Sequence, residues 1–411
     1  MPERLWELVR LFLKLGTISF GGPAAHVALM EDECIRRRGW LSRERFLDLF
    51  SATYLIPGPN ATEMAAQIGY HRAGVVGSIL AAACFTLPAA AISAGLAWVY
   101  VGSQGLPEIK PWVDPLLAGI KPVVLVIILA ALVRLGRSAL RSRELAAIGI
   151  ATAAAAWWGA RRGSEIQILA LLGGGLLGAI LLRWAGRRDG GQASPAGADP
   201  PSPPSAPAAM AAWIAGGTAA GSAVTAAAAA GGAAAAVPVG LGQLGLFFLK
   251  VGAVLYGSGY VLIAYIQGGL VHEYGWLTEQ ELLDAVAIGQ ITPGPLLSTV
   301  TFIGYLVAGA PGAAVATAAV LLPGLCLVAA INPWIARLRQ SSWSALFLDA
   351  IGAASVGLTA AVTIGLGRAV LTFDDWRGWL VALAAALVLW RTHMAAAWLV
   401  LAGALAGAIL W

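Results

Sequence analysis

Lys14 and Lys250 occupy the same place in two apolar segments, Phe12-Leu13-Lys14 and Phe248-Leu249-Lys250. Each is followed by a glycine break, Phe20-Gly21-Gly22-Pro23 in one case and Tyr256-Gly257-Ser258-Gly259-Tyr260 in the other. An ammonium group inside an apolar segment is costly unless it reaches the headgroups, pairs with a carboxylate or meets an anion. Further along stand Pro57-Gly58-Pro59 and Pro293-Gly294-Pro295. Two prolines remove N–H donors, and with Gly between them they forbid a continuous helix, so one helix must stop before each motif and another start after it. Asn60 and Thr62 after the first motif, and Ser298 and Thr299 after the second, are candidate caps. Helix starts that converge inside a membrane offer N–H groups and partial positive charge, which is the chemistry of an anion site. Glu63 breaks the symmetry, because its counterpart is Thr299. A carboxylate beside an anion path serves either as a cap in the first turn or as a carrier of protons.

These residues sit in a chain that repeats itself. Phe12-Leu13-Lys14, Gly39-Trp40-Leu41, Asp48 and Pro57-Gly58-Pro59 recur 236 positions later as Phe248-Leu249-Lys250, Gly275-Trp276-Leu277, Asp284 and Pro293-Gly294-Pro295. The match continues at an offset of 235, with Ile68-Gly69-Tyr70 against Ile303-Gly304-Tyr305 and Leu87-Pro88 against Leu322-Pro323. Apolar segments broken by Gly and Pro at matching places in two halves point to a transporter's binding site, because a helix broken in the membrane exposes backbone that must face a cavity or a solute.

Composition fixes the compartment. The chain is 59% hydrophobic and 11% charged over 411 residues, with a mean hydropathy of +0.78, far from any soluble domain. Stretches 74–101, 112–133, 145–160, 166–184, 311–335, 343–367, 378–390 and 394–411 have the apolarity of spanning helices. The start lacks a basic segment followed by a cleavage site, so no signal peptide is expected. Cys34, Cys84 and Cys326 are scattered and suggest neither disulfides nor a metal site.

Charge sets the expected topology. Arg36, Arg37, Arg38, Arg43 and Arg45 mark one loop as cytoplasmic, and the equivalent loop of the second half carries His272, Glu273, Glu279 and Glu281 with no Lys or Arg. A Pro/Ser/Gly/Ala-rich linker, 186–208, and an Ala/Gly-rich segment, 209–236, separate the halves, and one extra crossing there inverts the second. The expectation is therefore an all-α polytopic membrane protein of two inverted-topology repeats, 1–185 and 237–411, with re-entrant helices at the Pro-Gly-Pro motifs and a linking transmembrane helix at 209–236. A parallel duplication with 209–236 on the surface is the alternative.

Together, Phe12-Leu13-Lys14-Leu15-Gly16, Ser19-Phe20-Gly21-Gly22-Pro23, Arg38-Gly39-Trp40-Leu41, Pro57-Gly58-Pro59, Gly289-Gln290-Ile291-Thr292-Pro293-Gly294-Pro295 and Thr301-Phe302-Ile303-Gly304-Tyr305 resemble the chromate ion transporter family in its long, two-domain form. The resemblance covers nearly the whole chain apart from the linker and the extra helix. It implies export of chromate from the bacterial cytoplasm through the inner membrane, with sulfate as a competing oxyanion. Many members carry Gln before the first motif as well, where this chain has Tyr54 opposite Gln290. The expected binding residues are Lys14, Gly21, Gly22, Asn60, Thr62, Lys250, Gly257, Ser258, Gln290, Ser298 and Thr299, with Glu63 as proton carrier. The expected partners are the oxyanion and membrane lipid. A homodimer is allowed, and neither nucleic acid, cofactor nor metal is expected. An intramembrane lipid-phosphate phosphatase is the enzymatic alternative, but neither Pro-Gly-Pro is followed by an Arg, and the second has no carboxylate. Gly240-Leu241-Gly242-Gln243-Leu244-Gly245 matches a dinucleotide fingerprint only by spacing, since no strand precedes it.

Overall fold

A computed structural model describes residues 2–19, 23–104, 108, 110–159, 163–188, 240–257, 259–334, 341–372, 374–392, 394 and 396–411. The expected linking helix 209–236, most of the linker 186–208, and Gly21, Gly22 and Ser258 lie outside them. The described residues form helices and no strands. The first repeat comprises α1 (Pro2–Ile18), α2 (Pro23–Glu31), α3 (Arg43–Thr53), α4 (Ala61–Gln104), α5 (Lys110–Ala139), α6 (Arg143–Gly159) and α7 (Ser164–Arg188). The second comprises α8 (Leu241–Val254), α9 (Val261–Ile266), α10 (Glu279–Ile291), α11 (Ser298–Ile331), α12 (Ser342–Val370), α13 (Trp376–Arg391) and α14 (Ala396–Leu410). Helix α7 runs to Arg188, three residues into the expected linker. Residues 1–183 and 241–411 make one compact unit, so the repeats share a core, and 184–240 fall in a second unit.

The repeats match helix for helix and in their irregularities. Helices α2 and α9 each widen into a π-type turn, Asp32–Arg37 and Gln267–Glu273. The loop that follows turns on a left-handed glycine, Gly39 or Gly275, a conformation that costs glycine nothing. Ser42 caps α3 by accepting from the Arg45 N–H at 3.2 Å, and Thr278 caps α10 in a reciprocal arrangement with Glu281. Trp40 lies under the guanidinium groups of Arg38 and Arg72, whereas Trp276 stacks on Tyr274. The two loops thus keep one backbone and opposite charge.

Helices α4 and α11 are each two helices joined by a reversal. Ala73 and Gly74 have φ/ψ of −148/28° and 63/−153°, and Ala308 and Gly309 repeat them at −145/26° and 64/−157°. Residues eight apart in a continuous helix are about 12 Å apart along the axis. Here a Cβ on Gly69 would strike the Gly77 carbonyl, and one on Gly304 the Gly312 carbonyl, so the chain folds back and the arms touch. The short arm 61–72 is about 18 Å long and α3 about 16 Å, each roughly half the thickness of a bilayer core. The longer arms, 75–104 and 310–331, are long enough to span such a core.

Among the described residues, five helices are long and apolar enough to cross a membrane: α4, α5, α7, α11 and α12. Within the described residues, each of the eight apolar stretches read from the sequence falls mainly on a helix or a helix arm. Exposed tryptophans mark helix ends, with Trp112 at the start of α5, Trp157 and Trp158 at the end of α6, and Trp376 and Trp390 at the two ends of α13. Such a distribution places aromatic rings at the two lipid interfaces. This is a multi-pass membrane protein.

Packing is tightest where glycine lets backbones meet. Helix α1 lies on α4 and α8 on α11. A Cβ on Gly16 would strike the Phe85 carbonyl, and one on Gly252 the Val320 carbonyl, the small-residue contact by which membrane helices approach. Gly16→Leu and Gly252→Leu are each expected to abolish recovery of folded protein in detergent, because backbone on a facing helix cannot move aside as a side chain can. Normal yield and melting of either variant would contradict that packing.

Candidate functional site

The Pro-Gly-Pro loops meet the ends of α1 and α8 in a reciprocal exchange. Helix α3 ends at Thr53, and two short turns, Leu55 N–H to the Ala52 carbonyl and Ile56 N–H to the Thr53 carbonyl, lead into the first motif. Between two prolines the glycine supplies the motif's one N–H. Gly58 donates it to the Leu255 carbonyl at 2.6 Å, and Gly294 donates its own to the Ser19 carbonyl at 2.7 Å. Leu255 is the repeat counterpart of Ser19, and Gly294 that of Gly58. When i of one unit contacts j of the other and j contacts i, the units are related by a two-fold rotation. The pseudo-two-fold axis therefore passes between these two hydrogen bonds, where both motifs meet Ser19 and Leu255.

Polar side chains around this crossing are buried without partners. Ser19 Oγ, Thr62 Oγ1, Glu63 Oε2, Ser298 Oγ and Thr299 Oγ1 are all inaccessible, and none has a hydrogen-bond partner. A buried polar atom without a partner costs about 1–3 kcal/mol, so five beside one crossing fit a place that receives a polar guest. None of the hydroxyls of Thr62, Ser298 and Thr299 caps a helix, contrary to the sequence expectation. Asn60 instead adopts φ of 51°, and its carbonyl accepts from the Met64 N–H at 2.9 Å.

Contrary to the expectation of free N–H groups, backbone donors are taken up at both helix starts: in the first repeat Ala61 donates to the Pro59 carbonyl at 2.5 Å and Met64 to that of Asn60 at 2.9 Å. In the second repeat Ser298, Thr299 and Val300 donate to the carbonyls of Pro295, Leu296 and Leu297. That tight turn consumes the donors at the start of α11. The polar supply on this side therefore comes from hydroxyls.

Glu63 packs directly on its own loop and on the opposite repeat. A Cβ on Gly58, whose φ is +146°, would overlap the Glu63 carboxylate, and one on Gly324 of α11 would come within 3.1 Å of Oε1. In the other half the counterparts of Glu63 and Gly324 are Thr299 and Ala89, and the Ala89 Cβ faces Gly294. Thr299 Oγ1 lies against Gly289 of α10 instead. A carboxylate therefore stands on one side of the crossing alone.

Both sequence-predicted lysines have carboxylate partners. Lys14 Nζ lies 2.6 Å from Glu33 Oε1 and Lys250 Nζ 3.1 Å from Glu165 Oε1, with both ammonium groups partly exposed. The bond from Lys14, with Arg37 and Arg38 beside it, holds the Glu33 carboxyl below the usual carboxylate range. Pairing, one of the outcomes the sequence allowed, removes the free positive charge from each. Gln290 donates to the Tyr260 hydroxyl at 3.5 Å. Gly257, at φ +93°, lies against Ser355, whose hydroxyl donates to the Tyr256 carbonyl at 3.0 Å.

The sequence reading missed an intramembrane ion pair. Lys121, in the middle of α5, lies 3.0 Å from Asp284 Oδ1, and Tyr100 of α4 donates to Asp284 Oδ2 at 2.9 Å. All three line a pocket of about 750 Å³. The signal was present, since Lys121 stands in the apolar stretch 112–133 and a charge so placed marks function by default.

The chromate transporter family matches residues 6–179 and 242–408. The chain is 30% identical to a probable chromate transport protein of Synechococcus elongatus, over 99% of this chain and 96% of that one. It is 31% identical to a chromate transport protein of Cupriavidus metallidurans, over 89% of this chain and 84% of that one. Identity to a chromate transport protein of Pseudomonas aeruginosa is 27%, over 89% and 82%. No solved structure matches. With the duplication, the reciprocal loops and these relatives in agreement, the chain belongs to the chromate transporter family.

Proposed function

We propose that the protein is a secondary transporter that carries chromate, or a tetrahedral dianion like it such as sulfate, out of the bacterial cytoplasm across the inner membrane. The observation that carries this reading is the crossing of the two Pro-Gly-Pro loops among five buried, unpartnered polar atoms. A tetrahedral dianion offers four acceptor oxygens, which suits hydroxyls and backbone donors, and the relatives named for chromate transport supply the substrate class. An inside-negative potential pushes a dianion outward by about 4.6 kcal/mol per 100 mV, at about 2.3 per charge. Chromate and sulfate share charge and shape, so one pocket discriminates between them only modestly.

The test is flux in proteoliposomes with an imposed potassium diffusion potential. Chromate is expected to move toward the positive side in a protein-dependent manner, with sulfate competing. Absence of protein-dependent movement at any potential sinks the reading.

The repeats are read as inverted, with α3 and the short arm of α4 as two half-helices of a re-entrant hairpin tipped by Pro57-Gly58-Pro59. The reciprocal two-fold and the opposite charge of the two Gly-Trp-Leu loops support this arrangement. Cysteines placed at Ser42 and Thr278, in a chain without Cys34, Cys84 and Cys326, are expected to react with an impermeant reagent from opposite sides. Same-side labelling refutes the inversion.

A further inference from the structure

The Lys121–Asp284–Tyr100 cluster lies apart from the Pro-Gly-Pro crossing in the residues that form it, and it is open to a pocket. Around Asp284, α5 contributes Lys110, Asp114 and Lys121, α4 contributes Tyr100, and α10 itself contributes Glu281. Among the described residues, no charged side chain of α9, α11, α12 or α14 lines the pocket. Two ammonium groups, Lys110 and Lys121, against three carboxylates, Asp114, Glu281 and Asp284, leave one net negative charge. A dianion entering such a pocket is repelled, whereas a proton is attracted.

Lys121 is flanked by the buried residues Ile120 and Pro122, where an ammonium group stays charged only while something neutralises it. Asp284 does so from the other repeat, so the pair is both a charge balance and a tie between the halves. Protonating the carboxylate removes the balance and the tie together.

We propose that Asp284 is a proton-binding site reached through this pocket, and that its protonation frees Lys121 to be neutralised by the transported anion. This rests on the transport reading. The proton adds to Oδ1, the oxygen facing Lys121, and Tyr100 keeps its hydrogen bond to Oδ2. Lys121 and the anion then replace Lys121 and Asp284 as the paired charges, so proton uptake and anion entry occur in one step. Tyr100 is a positioning residue here, since its hydroxyl stabilises the charged carboxylate and so sets the pH at which the proton binds.

The experiment measures chromate flux by the full-length protein in proteoliposomes as a function of pH, with and without a pH gradient. The parent is expected to respond to the gradient. Asp284→Asn is expected to lose that response while chromate–chromate exchange stays measurable. Tyr100→Phe removes a hydrogen bond to the charged form, so its pH midpoint is expected to rise by about one unit. An Asp284→Asn protein that still answers the gradient, or a Tyr100→Phe protein with the parent midpoint, overturns the proposal. So does an Asp284→Asn protein that only melts earlier with its pH profile unmoved, since that is the mark of a structural tie. If the parent carries chromate without any response to the gradient, this proposal falls and the transport reading stands. If the parent carries none, the transport reading falls.

Discussion

Replacing Glu63 with Gln is expected to leave anion binding largely intact and to remove Glu63's own contribution to the pH dependence of flux, leaving the part that Asp284 sets. Gln keeps the shape and hydrogen-bonding capacity of the side chain but fixes its charge. Glu63 leaves one carboxylate oxygen unpartnered beside the crossing of the two loops, so its charge bears directly on any anion that binds there. Chromate binding by calorimetry and flux by proteoliposome assay separate the two effects. A Glu63→Gln protein with the parent pH profile makes the residue a cap and nothing more. Tyr100→Phe serves as the internal comparison, because it acts on Asp284 and does not touch Glu63.

Gly58→Ala is expected to stop transport and to lower the melting temperature of the purified protein. Two costs add at this position. A non-glycine residue at φ of +146° carries backbone strain of about 1–3 kcal/mol, and the new methyl group occupies the space of the Glu63 carboxylate. The costs can be separated, since adding Glu63→Ser to Gly58→Ala removes the overlap and leaves the strain. The double variant is therefore expected to melt between the single variant and the parent. If Gly58→Ala melts and transports like the parent, the glycine is not needed for the loop exchange.

How far the sequence could be read differs from one feature to another. The offset of 236 paired Gly58 with Gly294, and those same residues carry the reciprocal hydrogen bonds. The apolar stretches at 74 and 311 begin beside the reversals at Ala73-Gly74 and Ala308-Gly309, because glycine placed both. The contact of Glu63 with Gly324 joins residues far apart in the chain, and no periodicity reports a contact of that kind. Lys121 escaped because the repeat offset shrinks beyond α4, to 231 where Leu135-Gly136-Arg137 matches Leu366-Gly367-Arg368, so alignment of the halves drew no attention to an unmatched charge. The lysines that alignment did single out are paired with Glu33 and Glu165. Symmetry of position in the sequence could not show that their partners come from non-equivalent helices, α2's π-type turn and α7.

The exchange of Glu63 and Gly324 for Thr299 and Ala89 means that the two halves are no longer interchangeable parts. Two first repeats assembled about the same axis would carry a carboxylate to both sides of the crossing, where two like charges resist ionising together. Two second repeats would carry none, and the crossing would have lost its titratable group. Only the heterodimer of halves has a single one. Fusing the halves into one chain therefore does more than hold them together: it guarantees their pairing in unlike combination, a stoichiometry that two free copies could not enforce.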